Sequence, residues 1–143
     1  MDPRSDEAQA AVRRLCEEEE QQVRVTYLHG SHASGKADAE SDIDIAVSFA
    51  GNIPDDEAYQ KKSMLTEDLY DLFGREDIEV VNVESINPVL MMAVARDGRV
   101  LYEKYPNQFF KWQIFAGRIF RDTEWVRKMR DYNIEKFIST HGA

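Results

Sequence analysis

Two aspartates, Asp42 and Asp44, stand one residue apart within an otherwise apolar run formed by Ile43, Ile45, Ala46 and Val47. Residues two apart in a strand point to the same side. A strand over residues 42–49 therefore sends Ile43 and Ile45 into a core and both carboxylates to the opposite face. Aspartate is depleted in strands, and a charge among apolar neighbours is costly unless something binds it. The chain must therefore fold with a sheet packed on one side of this segment and a charged feature on the other.

The flanking sequence supplies the rest of such a sheet. Ser5 caps an expected helix over residues 5–21, with acidic residues in its first turn. VRVTYLH, Val23–His29, alternates and is β-branched, so a strand is expected. Residues 30–41 are polar and contain Gly35, which reads as a turn with one short helical turn. After Gly51-Asn52-Ile53-Pro54, Asp55 is expected to cap a helix running to Phe73. Its stripe is Ala58, Leu65, Leu69, Leu72 and Phe73, and Gly74 stops it. A third strand is expected over residues 77–83, a helix opened by Pro88 and ended at Asp97-Gly98, and a short strand at Arg99–Glu103.

Residues 107–138 are helical in pattern, as one long helix or two in series. Phe109, Trp112, Ala116, Ile119, Thr123, Val126, Met129 and Phe137 make one stripe, while Phe110, Ile114, Phe115 and Trp125 lie off it. A helix apolar on more than one side needs more than one surface to pack on: either its own domain or a partner. The expected fold class is α+β, a small mixed sheet flanked by helices with a long C-terminal helical segment. Residues 1–104 form the core, and residues 105–143 are a partner-facing segment of the same domain.

A pair of carboxylates on one face repel each other, and a divalent cation reverses the sign of that interaction. Mg²⁺ is held by one or two carboxylates, with substrate phosphates and waters completing its shell. A third acid is expected from the third strand, where Asp77 and Glu79 again share a face. Neighbouring strands lie ~4.8 Å apart, close enough for carboxylates to converge. Glu79, bracketed by Ile78 and Val80, reads as a charge inside a buried strand and is preferred to Asp77 at the strand's edge.

Before the acids comes a Gly-Ser pair, Gly30-Ser31, at the end of a strand. Glycine lets the backbone approach a phosphate closely, and a helical turn starting there adds free N–H groups. The whole stretch GSHASGKADAESDIDIAV resembles the nucleotidyltransferase signature of the polymerase-beta-like superfamily, GSxxxGxxxxxSDxD. Small size and the REDIEVVNV strand resemble its minimal nucleotidyltransferases (the MNT family), over about residues 23–103. The resemblance implies the polymerase-beta-like fold. Gly30, Ser31 and Ser41 would bind the nucleotide, and Asp42, Asp44 and Glu79 would be catalytic acids and ligands of two Mg²⁺ ions. The chain departs from the family pattern at His29, where an apolar residue usually precedes the Gly-Ser pair. It also has His32 where many relatives carry Arg, and Glu79 where Asp is commoner. His32 reads either as a phosphate contact or as exposed polar filler.

The implied reaction is attack of an acceptor hydroxyl on the α-phosphorus of a nucleoside triphosphate. Many proteins resembling this one are antitoxins that move AMP from ATP to a tyrosine of a paired HEPN-domain ribonuclease toxin, in a hetero-oligomer. A small-molecule (aminoglycoside-like) nucleotidyltransferase and a non-catalytic binding antitoxin are the rival readings. The net charge of −9 argues against a nucleic-acid backbone as direct partner. No apolar run reaches the ~20 residues of a membrane span. The single Cys16 and an N-terminus without an apolar leader fit the cytoplasm.

Overall fold

The protein is described here by a computed structural model covering residues 1–141, with side chains described to residue 140. Its sheet has four strands: β1 (Val23–His29), β2 (Ile43–Phe49), β3 (Ile78–Asn82) and β4 (Arg99–Glu103), in the order β3-β2-β1-β4. β1 pairs antiparallel with β2 and β4, while β2 and β3 run parallel, which makes the sheet mixed. The parallel pair is joined by a crossover through a helix, as parallel neighbours require.

Alternation decides which helices cover which face. Leu28, Ile43, Ile45, Val47, Ile78, Val80 and Leu101 point to one side and pack with α1 (Asp6–Cys16) and α3 (Asp55–Phe73). α1 contributes Ala8, Val12 and Cys16, and α3 contributes Leu65, Leu69 and Phe73. Removing each large aliphatic side chain from water stabilises the fold by about 1.5–3 kcal/mol, so this face holds most of the core. The opposite face presents Val25, Tyr27, Ala46 and Val83 to α4 (Pro88–Asp97) and α5 (Gln108–Asp122). The Tyr27 ring meets Phe109 at 4.7 Å and Trp112 at 6.0 Å between centroids, ordinary tilted aromatic packing.

The helix ends explain several boundary differences. Ser5 does cap α1, accepting from the Ala8 N–H at 3.1 Å. The helix stops at Cys16, however, and a separate 3₁₀ turn occupies Glu19–Gln21. Asp55 is the first helical residue of α3 rather than its cap; Pro54 holds the cap position without a side-chain bond. Gly74 ends α3 at φ 67°, its N–H donating to the Tyr70 carbonyl at 2.8 Å. β2 and β3 are each shorter than expected, because Asp42, Asp77 and Val83 lie just outside them.

The C-terminal segment is two helices, α5 and α6 (Glu124–His141), broken at Thr123. The Thr123 hydroxyl donates to the Ile119 carbonyl at 2.7 Å. Arg127 then spans the joint, donating to Thr123 Oγ1 at 2.9 Å and to the Phe120 carbonyl at 2.6 Å. The expected stripe is split by this break. Phe109, Trp112, Ala116 and Ile119 pack against the core, whereas Val126, Met129 and Phe137 are exposed. Phe110, Ile114, Phe115 and Trp125 are exposed as well. No helix among the described residues is long and apolar enough to cross a membrane.

Candidate active site

β1 ends and β2 begins at the same end of the sheet, so their antiparallel register sets His29 opposite Asp44. The parallel register of β2 and β3 then sets Asp44 beside Glu79. His29, Asp44 and Glu79 thus form one row across three strands, on the face that carries α4. Asp42 precedes β2 by one residue and shares the parity of Asp44. A cleft of about 290 Å³ opens over this row, lined by His29, Gly30, Ser34, Asp44, Glu79, Val81, Leu90, Ala93 and Asp97.

Burial is distributed differently from the expectation. Asp42 and Glu79 are exposed, and only Asp44 is half-buried. Glu79 is no charge inside a buried strand, because β3 is an edge strand and its site-facing side is open at that residue. The electrostatic cost is concentrated on Asp44. Burial raises its carboxyl above the usual range, repulsion from Glu79 and then Asp42 adds to this, and His32 pulls the other way.

The turn before the acids is shaped by Asp44. Gly30 opens the short helix α2 (Gly30–Ser34) with φ 71°, and a Cβ built on it would stand 2.3 Å from Asp44 Oδ2. Main chain and carboxylate therefore meet with no side chain between them, which only glycine allows. Ser31 is half-buried, and its hydroxyl has no hydrogen-bond partner among the described residues. Ser41 is committed differently: its hydroxyl donates to Asp38 Oδ1 at 3.1 Å and accepts from the Asp38 N–H at 3.0 Å.

His32 is a brace rather than exposed filler. It is buried, and its Nε2–H donates to the Ser41 carbonyl at 3.0 Å, tying α2 to the entry of β2. Arg75 Nη2 donates to that same carbonyl at 2.8 Å. Arg75 also grips both carboxylate oxygens of Asp77 through Nε and Nη2. That hydrogen bonding holds the Asp77 carboxyl below the usual carboxylate range. Its backbone carbonyl accepts the Ile43 N–H at 2.9 Å. Asp77 is thus occupied by the support of the loop, and Glu79 faces the cleft.

Two further groups stand at the cleft. Asp97 closes α4, a position that reads in sequence only as a helix end; the crossover from β3 through α4 to β4 brings it to the acids. His29 is buried, its Nε2 has no hydrogen-bond partner, and burial lowers its pKa. In sequence His29 stood out only as a departure from the family pattern before the Gly-Ser pair, with nothing to place it at the acids.

The donor set of Asp42, Asp44 and Glu79 is all oxygen, and repulsion on Asp44 is what a divalent cation would relieve. These features fit Mg²⁺. No group of three or more His, Cys, Asp or Glu side chains among the described residues is gathered so as to hold a metal ion.

Comparison with known proteins gives three findings. The family "Polymerase beta, Nucleotidyltransferase" matches residues 12–107. The protein adenylyltransferase MntA of Aphanizomenon flos-aquae (strain 2012/KM1/D3) is 28% identical over 131 residues, covering 85% of this chain and 84% of the relative. Among solved structures, a toxin–antitoxin with AMP-PNP superposes with a TM-score of 0.72 at 20% identity, covering 89% of this chain and 98% of the other. A tri-AMPylated Shewanella oneidensis HEPN toxin in complex with MNT antitoxin superposes with a TM-score of 0.60 at 19% identity, covering 80% and 84%. Both structures share the fold of this chain.

Proposed function

The chain belongs to the polymerase beta nucleotidyltransferase family, and from that premise we propose that it transfers AMP from ATP to a tyrosine hydroxyl of a cognate HEPN-domain ribonuclease toxin. It acts as the antitoxin of the pair, in a complex with the toxin. The observation that carries the chemistry is the register that sets Asp44 beside Glu79, one step from Asp42, directly behind the Gly30 turn. The AMP donor and the protein acceptor are supported by the adenylyltransferase relative and by the structural neighbours.

Asp42, Asp44 and Glu79 hold Mg²⁺ in this reading. An Mg²⁺ ion held by these carboxylates would supply a lowered pKa at the acceptor hydroxyl and charge neutralisation at the leaving pyrophosphate. Gly30 and Ser31 receive the triphosphate, the glycine by leaving room for it and the serine with its free hydroxyl. Ser41 acts at the same turn through the loop it closes with Asp38, which His32 and Arg75 hold against β2. Asp44 is the acid least screened by solvent, so its charge is the one most strengthened when the cleft fills. The chain's own contribution is positioning and charge placement, which supply most of the barrier reduction in phosphoryl-type transfers.

The test is to mix the purified chain with ATP, Mg²⁺ and the product of the neighbouring gene, and to weigh that partner. Addition of AMP is expected, mapped to a tyrosine by fragmentation, and lost with Asp42→Asn/Asp44→Asn. An unchanged partner mass overturns the proposal. Toxin neutralisation that survives the double substitution would instead identify a purely binding antitoxin.

A further inference from the structure

An open groove of about 670 Å³ lies between α4 and α6. Its walls are mostly apolar, with Pro88, Val89, Leu90 and Ala93 from α4 and Val126 from α6; Arg130 stands at its α6 side. Leu90 and Ala93 also line the cleft over Asp44 and Glu79. Leu90, Ala93 and Asp97 are spaced three and four residues apart, so they form a single stripe along α4. One helix face therefore leads from the groove to the acids.

We propose that this groove is the path by which the acceptor enters: a segment of the partner protein lies between α4 and α6 and passes its tyrosine over Leu90 and Ala93 into the cleft. The proposal rests on the adenylyl-transfer reading above and specifies the acceptor. Apolar walls suit an aromatic side chain, which gains from their contact while its hydroxyl reaches forward to the acids. The charge of the groove points the same way. Its charged lining residues are Arg127 and Arg130, and no carboxylate lines it. Arg127 is spent on the α5–α6 joint, while Arg130 has no hydrogen-bond or ion-pair partner among the described residues. A polycationic aminoglycoside finds repulsion here, whereas a peptide with an acidic residue near its tyrosine finds a counter-charge.

Val126 and Arg130 are exposed and lie outside the cleft, so substituting them leaves the acids and the turn intact. In the transfer assay with ATP, Mg²⁺ and the partner, Val126→Asp and Arg130→Glu are each expected to raise KM for the partner about tenfold or more. Affinity for ATP, measured by calorimetry on the chain alone, is expected to stay at the wild-type value. A photocrosslinking residue at position 126 is expected to capture the partner peptide that carries the modified tyrosine. Wild-type KM in both variants, or a crosslink to a different partner segment, overturns the path while leaving adenylyl transfer standing. Absence of transfer by the wild-type chain overturns both.

Discussion

Gly30→Ala isolates the feature on which the site depends. The added methyl meets two costs that can be worked from the geometry. The backbone at φ 71° is left-handed, which costs an L-residue about 1–2 kcal/mol. The methyl would also stand 2.3 Å from Asp44 Oδ2, roughly 1 Å inside the nearest comfortable contact. The main chain of α2 is tied to β2 by His32, so the carboxylate is the part that moves. A displacement of that size is serious for a Mg²⁺ ligand, because the ion demands near-ideal geometry. A 1 Å misplacement of a reacting group lowers rate by about 10²-fold. We therefore expect a folded protein with a modestly lower melting temperature and about a hundredfold lower kcat for AMP transfer. Circular dichroism melts and a single-turnover assay with labelled ATP measure the two effects separately. A Gly30→Ala protein with wild-type kcat would refute the argument that Asp44 and the turn share one space.

Three further outcomes are expected. Asp44→Asn removes a charge that burial and two neighbouring acids disfavour, so the metal-free protein should melt higher than wild type at pH 7 while losing transfer. The sign follows from linkage: a raised carboxyl pKa means the folded state binds more protons, and its stability falls as pH rises through that pKa. The advantage of Asp44→Asn should thus shrink on lowering the pH below Asp44's raised value, and an advantage independent of pH would contradict the assignment. Glu79→Gln should cost about 10²-fold in kcat and Asp77→Asn less than tenfold, because Arg75 already occupies Asp77; the reverse order would make Asp77 the third acid. Arg127→Ala removes two hydrogen bonds and a cation–π contact centred 3.7 Å from the Phe120 ring. It should weaken the α5–α6 joint by about 1–2 kcal/mol, read as faster hydrogen exchange across α6 with α5 unaffected.

Local patterns determined a good deal of this protein. Alternation marked β1 to the residue, the short strand expected at Arg99–Glu103 is β4, Gly74 stopped α3, and Pro88 with Gly98 bracketed α4. Those signals are read from adjacent residues, because a strand's parity and a helix cap depend only on neighbours. The spacing of Asp42 and Asp44 likewise placed both acids on one face. Tertiary structure decided everything that depends on which strands adjoin. The order β3-β2-β1-β4 put Glu79 on an edge and made it exposed, while the same order half-buried Asp44 and left it to bear the electrostatic cost. Arg75 ties Asp77 to the loop through a pairing that spacing alone does not distinguish from solvent exposure. Asp97 and His29 reached the cleft because a crossover and a register carried them there. The break at Thr123 turned one apolar stripe into a packed half and an exposed half, since a continuous period in sequence does not require a continuous surface beneath it.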